Sequence, residues 1–165
     1  MNGASLEAAL RPFLPADTPV LAQIFRDSVE ELTSEDYDEA QRTAWIASVD
    51  DEARFGRRLA EQLTIVATRG GAPVGFASLK GADHIDMLYV SPEAAHEGIG
   101  TLLYAALEKL ARNRGATKLT ADVSDTALPF LERHGFRPRE RQSIAVNGEW
   151  LANTRMEKKL GSPPQ

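Results

Sequence analysis

Residues 85–110 read IDMLYVSPEAAHEGIGTLLYAALEKL and contain the change of hydrophobic period that decides the fold. Apolar and β-branched residues predict a strand over 84–90, and apolar residues at helical spacing predict a helix over 99–113. Gly98 and Gly100 lie in the turn between them. The first turn of a helix carries unpaired N–H groups and a positive dipole end, so this turn favours phosphate binding without a basic side chain.

Two glycines also fit a plain tight turn, so we compared the stretch with other phosphate and metal motifs. A dinucleotide GxGxxG motif would need glycine where Leu103 stands. A Walker loop would need lysine after its glycine, whereas Gly100 is followed directly by Thr101. His96 and Glu97 begin an HExxH pattern, but Gly100 replaces its second histidine. All three alternatives fail.

The composition predicts one globular domain over residues 1–160 and a flexible tail over 161–165. The chain has 165 residues, 42% of them hydrophobic and 26% charged, which suits one domain with a buried core. Cysteine is absent and the net charge is −5, which argues against disulfides and against sequence-independent nucleic-acid binding. Without a signal-like start or a membrane-length apolar run, we expect a cytoplasmic protein.

The rest of the chain adds strands and helices on both sides of this stretch. The predicted order is β, α, α, α, β, β, β, α, β, α, β, β, which indicates a mixed sheet covered by helices. The predicted elements are a strand at 10–14, a helix capped by Asp17, a helix starting at Ser34 or Asp36, a helix from Asp50 or Asp51 to Gln62, strands at 63–68, 74–79 and 84–90, the helix at 99–113 stopped by Gly115, a strand at 118–123, a helix from Ser124 or Asp125 to His134, and a hairpin of 136–146 and 149–158 turning at Asn147-Gly148.

Two stretches resemble the signatures of the GNAT superfamily of N-acetyltransferases. VSPEAAHEGIGTLLYAALEKLARNRG, from Val90, is similar to the acetyl-CoA signature, and SDTALPFLERHGF, from Ser124, is similar to the second signature. The run from Trp45 through IDML to Gly148-Glu149-Trp150 looks most like a YafP-type group of bacterial acetyltransferases. The resemblance implies an α/β (α+β) fold with a mixed, mostly antiparallel sheet flanked by helices. It also implies transfer of an acetyl group from acetyl-CoA to a primary amine, with no metal.

The resemblance assigns the acetyl-CoA site to the turn and to the two strands beside it. The strand bearing Leu88–Val90 would separate from the strand at Leu119–Val123, with pantetheine between them. Val90 would pair with pantetheine, Ser124 would hydrogen-bond it, and the Leu88 N–H would stabilise the oxyanion of the tetrahedral intermediate. The residues expected to hold the pyrophosphate are Ala95, His96, Glu97, Gly98, Ile99, Gly100 and Thr101.

Three positions depart from the family pattern. Ala95 stands where glutamine or arginine is usual, and Glu97 adds negative charge near the diphosphate unless it turns to solvent. Leu131 replaces the tyrosine that protonates the departing thiolate in many relatives, so that proton must come from elsewhere or the thiolate leaves unassisted. With no cysteine for a covalent intermediate, direct attack of the amine on the thioester is expected.

His84 and Asp86 are the candidates for taking the proton from the attacking amine. An amine with a pKa near 10.4 is almost entirely protonated at neutral pH, so a base at the site speeds the reaction. Strand alternation predicts that His84, Asp86 and Leu88 share one face. Asp86 is the first choice, although a structural hydrogen bond or ammonium binding fits it equally, and His84 also fits an ordinary surface histidine.

The acceptor and the partners are less constrained by the sequence. Tyr37 and Trp45 would line the acceptor pocket, or serve in packing alone. The acceptor is a small-molecule amine or a peptide amine, nucleic acid and membrane are not expected as partners, and a homodimer is one option for the assembly. The alternative to an enzyme is a weakly catalytic or non-catalytic acyl-CoA-binding sensor or accessory domain.

Overall fold

A computed structural model of the chain describes residues 7–162 and contains the predicted order of strands and helices. The strands are β1 (Ala8–Pro12), β2 (Leu63–Arg69), β3 (Ala72–Lys80), β4 (His84–Val90), β5 (Lys118–Ser124), β6 (Arg137–Val146) and β7 (Glu149–Lys159). The helices are α1 (Thr18–Leu32), α2 (Glu39–Ile46), α3 (Glu52–Glu61), α4 (Ile99–Asn113) and α5 (Leu128–Arg133).

The seven strands of the described residues form one sheet in the order β1-β2-β3-β4-β5-β7-β6. Neighbouring strands run antiparallel except β4 and β5, which run parallel. Helices cover both faces, and each face has its own core. The expected mixed, mostly antiparallel sheet flanked by helices is therefore confirmed.

The two cores divide the helices between the faces of the sheet. One core joins α4 and α5 to the sheet and includes the fully buried Leu103 and Leu107. The other joins α1 and α3 to the opposite face and includes Leu21, Phe55 and Phe76. Burial of one such side chain contributes about 1.5 to 3 kcal/mol, so these residues fix the helices against the sheet.

Helix α4 lies very close to the sheet. A Cβ atom on Gly75 of β3 would lie 3.0 Å from the Tyr89 carbonyl oxygen and 3.1 Å from side-chain atoms of Ile99 and Leu103. The absence of a side chain at Gly75 therefore lets the start of α4 approach β3 beside Tyr89 of β4. This contact fixes the strand-to-helix turn relative to the strand that precedes it.

Several predicted starts of elements are corrected. The first strand begins two residues earlier than predicted, at Ala8. The second helix begins at Glu39, because Asp38 and Gln41 form a reciprocal capping box there. Helix α5 begins only at Leu128. Ser124 instead accepts a hydrogen bond from the Ala127 N–H in the turn before it.

Asp17 holds the predicted capping position of α1, but its carboxylate bonds elsewhere. Its two oxygens accept hydrogen bonds from Arg11, each at 2.8 Å, and one also accepts the Leu14 N–H at 2.8 Å. No side-chain cap bond to the helix is formed. Asp17 therefore ties the end of β1 to the start of α1.

The hairpin prediction at Asn147-Gly148 is confirmed. Asn147 and Gly148 have φ of +43° and +89°, as a type I′ turn requires. The Asn147 amide also donates to the Ala44 carbonyl oxygen at 2.8 Å, which ties the hairpin to α2.

The ends of the predicted domain and tail lie partly outside the described residues. Residues 1–6 and 163–165 are not described, so the predicted tail over 161–165 is represented by Gly161 and Ser162, which follow β7. Among the described helices, none is long and apolar enough to cross a membrane.

Candidate active site

Strands β4 and β5 separate at the centre of the sheet and leave a wedge. They pair only through His84 with Thr120 and Ile85 with Ala121. The Ser91 N–H donates to β3, at the Val74 carbonyl oxygen. Because main-chain groups alternate along a strand, the N–H groups of Leu88 and Val90 point the other way, into the wedge. The predicted separation of these strands is confirmed.

A β-bulge at Asp86 changes which side chains share a face. Ser78 of β3 lies opposite Met87 and Leu79 lies opposite Ile85, so Asp86 is an extra residue on β4. As a result Met87 packs into the core of α1 and α3, whereas Leu88 packs with α4. The prediction that Leu88 shares a face with His84 and Asp86 is wrong, because a bulge breaks the period of two.

A cavity of about 680 Å³ occupies the wedge and the space beside it. It extends from the start of α4, along β4 and β5, to α1, α2 and the β6–β7 hairpin. The predicted site residues that line it are Tyr37, Trp45, Asp86, Leu88, Val90, Ala95, His96, Gly98, Gly100, Thr101 and Ser124. Three predicted residues do not line it, namely His84, Glu97 and Ile99.

The glycine turn opens one end of this cavity. Gly98 precedes α4 with φ of +86° and has open space where a Cβ atom would lie. A Cβ atom on Gly100 would lie 3.4 Å from the Phe130 ring of α5. His96 has φ of +63°, a conformation that costs a residue with a side chain about 1 to 2 kcal/mol. The turn thus presents bare backbone at a helix N-terminus, as a diphosphate requires.

Glu97 and Ile99 point away from the phosphate end of the cavity. The Glu97 carboxylate forms an ion pair with Arg69 at 2.9 Å, so its negative charge is offset by β2. Ile99, the first residue of α4, is buried in the core between α4 and the sheet. Their side chains have structural contacts, and only their backbone remains available to a ligand.

Asp86 is held by two residues at the end of α3. Its Oδ2 atom accepts hydrogen bonds from Arg58 Nε at 2.9 Å and from Gln62 Nε2 at 2.8 Å, and it forms an ion pair with Arg58 Nη2 at 2.8 Å. No side chain within residues 7–162 donates to Oδ1. The side chain is 16% exposed and lines the cavity. Arg58 and Gln62 thus orient the carboxylate and leave one oxygen for a ligand.

His84 lies behind a second carboxylate. Its Nδ1 is 2.8 Å from Thr120 Oγ1, and its Nε2 is 3.8 Å from Asp122 Oδ2. Asp122 itself lines the cavity and also accepts a hydrogen bond from Gln142 at 2.9 Å. His84 therefore reaches the cavity through Asp122 and does not face it directly.

Three aromatic residues form a wall at the other end of the cavity. Tyr37 and Trp45 meet edge to face with ring centroids 5.3 Å apart, and Tyr89 packs on Phe25 at 4.6 Å. The Tyr37 hydroxyl donates to the Ala152 carbonyl oxygen at 2.6 Å, and burial raises the Tyr37 pKa. Burial also raises the pKa of Tyr89 to about 12, so both hydroxyls are protonated at neutral pH.

The sequence did not indicate several residues of the cavity. Arg58 on α3 and Gln62 just after it hold Asp86 without lining the cavity themselves, and no motif marks either of them. Tyr89 lines the cavity, but the sequence indicates only that it belongs to a strand. The hairpin contributes Ile144 and Leu151, which are far from β4 in the sequence. Strand alternation could have predicted that Tyr89 shares a face with Met87. The position of the hairpin beside Tyr89 depends on the tertiary fold and has no local signal in the sequence.

The residues present fit a coenzyme A thioester. The wedge offers main-chain N–H groups at Leu88 and Val90, and the glycine turn offers a diphosphate cradle at its end. Leu131, where a tyrosine is common, is buried and supplies no proton. Within residues 7–162, no group of three or more histidine, aspartate or glutamate side chains is arranged to hold a metal ion.

This fold and cavity define an acyl-coenzyme A-binding transferase, and comparison with known proteins specifies the family. The family model described as an acetyltransferase (GNAT) domain matches residues 33–160, so the chain belongs to the GNAT acetyltransferase family. It is therefore an acetyl-CoA-dependent N-acetyltransferase.

Individual relatives agree with this family. The chain is 36% identical over 150 residues to the uncharacterized N-acetyltransferase YafP of Escherichia coli K12, covering 91% of this chain and 95% of that protein. A crystal structure of a GCN5-related N-acetyltransferase from Rhodopseudomonas palustris shares 52% identity with a TM-score of 0.92, covering 97% of this chain and 100% of that one. PaiA N-acetyltransferase from Thermoplasma acidophilum, solved with coenzyme A, shares the fold at 19% identity and a TM-score of 0.77, over 93% and 99% of the chains.

Proposed function

We propose that this protein transfers the acetyl group of acetyl-CoA to a primary amine, which attacks the thioester carbonyl directly. The observation that carries the proposal is the wedge between β4 and β5. It joins a diphosphate cradle at one end to an oriented carboxylate, Asp86, at the other. The acceptor is a small-molecule amine or a peptide amine.

The cofactor side of the site uses mainly backbone. Amide groups near Gly98 and Gly100 hold the diphosphate, with the helix dipole of α4 favouring its charge. The main chain of Val90 pairs with the pantetheine arm along the open edge of β4. The N–H of Leu88 points into the same wedge and stabilises the negative charge that develops on the carbonyl oxygen.

The acceptor side uses Asp86. Its free Oδ1 receives the ammonium group and takes one proton from it, so that the neutral nitrogen can attack, while Arg58 and Gln62 hold the other oxygen. The nitrogen loses its second proton to solvent after the bond to the acetyl carbon has formed. A base at this point contributes about 10² to 10⁴ in rate. The pair of Asp122 and His84 offers a second route for the proton. Leu131 provides no acid, so the departing sulfur takes its proton from water.

Thermal unfolding with acetyl-CoA tests the cofactor site. Acetyl-CoA should raise the melting temperature of the wild-type protein, because binding to the native state alone stabilises it. Gly98→Trp should abolish the shift by filling the cradle. Gly115→Trp is the matched control, since Gly115 also has positive φ, +83°, and open space around it.

The control separates backbone strain from loss of the cradle. Both variants should melt below the wild type without ligand, and only Gly98→Trp should fail to respond to acetyl-CoA. An unchanged wild-type melting curve at millimolar acetyl-CoA would contradict the cofactor site. Binding without any acetylation in a broad amine screen would favour the acyl-CoA sensor instead.

A further inference from the structure

The charges around the acceptor end of the cavity suit a cation. Asp86 and Asp122 both line this end, and Asp86 keeps one oxygen free of bonds from described side chains. A carboxylate of this kind attracts an ammonium group and repels an anion. A ligand that carries both an amine and an acid would need a separate positive partner.

The guanidinium groups near this end are already paired. Arg58 binds Asp86, and Arg42 binds the Tyr37 carbonyl oxygen at 2.7 Å with Glu30 at 3.8 Å. Two further arginines are also paired, namely Arg141 with Asp125 at 2.8 Å and Arg155 with Asp122 at 3.9 Å.

Arg133 differs from these arginines because it has no carboxylate partner among the described residues, and we assign it to the phosphate end of the cavity. It lines the cavity from α5. It follows Phe130 by three residues, and the Phe130 ring faces Gly100 at the start of α4. We therefore assign Arg133 to the phosphate end, on the side of α5 that faces the start of α4.

The remaining surface of the acceptor end is mainly apolar and aromatic, with Ser28, Thr33 and Asn153 as its uncharged polar side chains. Tyr37, Trp45 and Tyr89 come from α1–α2 and β4, and Ile144 and Leu151 come from the hairpin. Aromatic rings favour offset and edge-to-face contact with another ring. Such a wall buries a flat apolar body better than a hydrated sugar or a polyamine, whose polar groups would lose their water.

We propose that the acceptor is a primary arylalkylamine without a carboxylate or phosphate group. Its ammonium binds Asp86 and its ring packs against the wall of Tyr37, Trp45 and Tyr89. Asp86 first takes one proton from the ammonium group, and the neutral nitrogen then forms a bond to the acetyl carbon. The nitrogen loses its second proton to solvent, the carbon–sulfur bond breaks, and the departing thiolate takes a proton from water. This inference rests on the proposed function, because it names the amine that the same site accepts.

Two amines that differ in one group test the proposal directly. Phenethylamine and phenylalanine share the ring and the amine, and phenylalanine adds a carboxylate. With the full chain and acetyl-CoA, kcat/KM for phenethylamine should exceed that for phenylalanine by about 100-fold or more, because the added charge finds no partner. Trp45→Ala should raise the phenethylamine KM about tenfold and leave the acetyl-CoA KM unchanged.

A designed cation should weaken this preference. Ile144 lines the cavity and is 37% exposed, so Ile144→Arg adds a charge there without opening the core. It should lower the phenethylamine-to-phenylalanine ratio at least tenfold. Val20→Arg is the matched control, because Val20 is 39% exposed on α1 and does not line the cavity. The control should keep the wild-type ratio.

The outcomes separate this inference from the proposed function. If spermidine, lysine or glucosamine is acetylated with a kcat/KM equal to or higher than that of phenethylamine, the inference of an arylalkylamine acceptor is overturned, while the proposed acetylation of amines stands. Equal rates on phenethylamine and phenylalanine also overturn the inference. Failure to acetylate any of these amines, with acetyl-CoA bound, overturns both.

Discussion

Asp86 has two carboxylate oxygens with different partners, and this difference defines its part in the proposed reaction. Oδ2 accepts two hydrogen bonds, from Arg58 and Gln62, and is ion-paired with Arg58, whereas Oδ1 accepts none from a side chain within residues 7–162. Arg58 also offsets part of the negative charge. Oδ1 is therefore the oxygen that meets the ammonium group in the proposed reaction, and it takes one proton before the neutral nitrogen attacks the thioester.

Asp86→Asn should lower kcat at least tenfold with little change in acetyl-CoA affinity. The amide keeps the shape of the side chain but cannot accept the proton. Activity should recover partly at high pH, where solvent deprotonates the amine. Steady-state kinetics over pH, together with the melting temperature of the variant, measure this.

Asp83→Asn is the control, since Asp83 is exposed just before the same strand. It should keep wild-type kinetics. If Asp86→Asn raises the amine KM and leaves kcat intact, Asp86 binds the amine without acting as the base. If neither constant moves, the proton leaves by another route, and the Asp122–His84 pair becomes the first residue pair to test.

At the scale of elements, the junction of β1 and α1 depends on one charged pair. Arg11 and Asp17 form two hydrogen bonds of 2.8 Å, and Asp17 is mostly buried. The Arg11 hydrogen bonds hold the pKa of Asp17 below its ordinary value. The folded state therefore binds this proton more weakly than the unfolded chain does.

Asp17→Asn should lower the free energy of unfolding at neutral pH by about 1 to 3 kcal/mol, because it breaks charge-assisted hydrogen bonds. The contribution of Asp17 is present above its unfolded pKa of about 3.9 and is lost as pH falls through the lower folded value. The difference between wild type and variant should thus shrink below about pH 4.

Urea unfolding at several pH values measures this difference. Asp27→Asn serves as the control, since Asp27 is an exposed carboxylate on the same helix that bonds only to Gln23 among the described side chains. It should change the unfolding free energy by less than about 0.5 kcal/mol. An Asp17 effect that stays constant down to pH 2 would contradict the assigned pKa shift.

At the scale of the whole molecule, the cavity takes its two ends from different parts of the chain. The cofactor end belongs to β4, α4 and α5, which are close in sequence. The acceptor end combines α1 and α2 with the β6–β7 hairpin. Substitutions at the acceptor end can therefore change the amine without changing the cofactor.

Hydrogen exchange with acetyl-CoA should show this division. Saturating acetyl-CoA should slow exchange at the amides of Leu88 and Val90 and over residues 96–101, which face the wedge and the cradle. Exchange in β1 should stay unchanged, because β1 lies at the far edge of the sheet. Mass spectrometry of peptic fragments measures both regions. Equal slowing in β1 would indicate general stabilisation without a local site.

The local elements and the cofactor turn follow from the sequence alone. Strand β4 at His84–Val90 and helix α4 at Ile99–Asn113 have the bounds that were predicted for them. Hydrophobic period, Gly98 and the Asn147-Gly148 turn act over a few residues, so neighbouring positions suffice to predict them. The family also follows, because its signatures are contiguous.

Only the tertiary structure decided which side chains meet in the active site. The bulge at Asp86 arises from the pairing of β4 with β3, and it placed Leu88 on the other face. Arg58 reaches Asp86 across 28 residues of sequence, and Tyr37 bonds Ala152 across 115. Strand register and helix docking depend on contacts over the whole sheet, so no local period predicts them. For this reason the sequence offered Asp86 as a candidate, whereas the partners that orient it and the aromatic wall of the same cavity came from the fold.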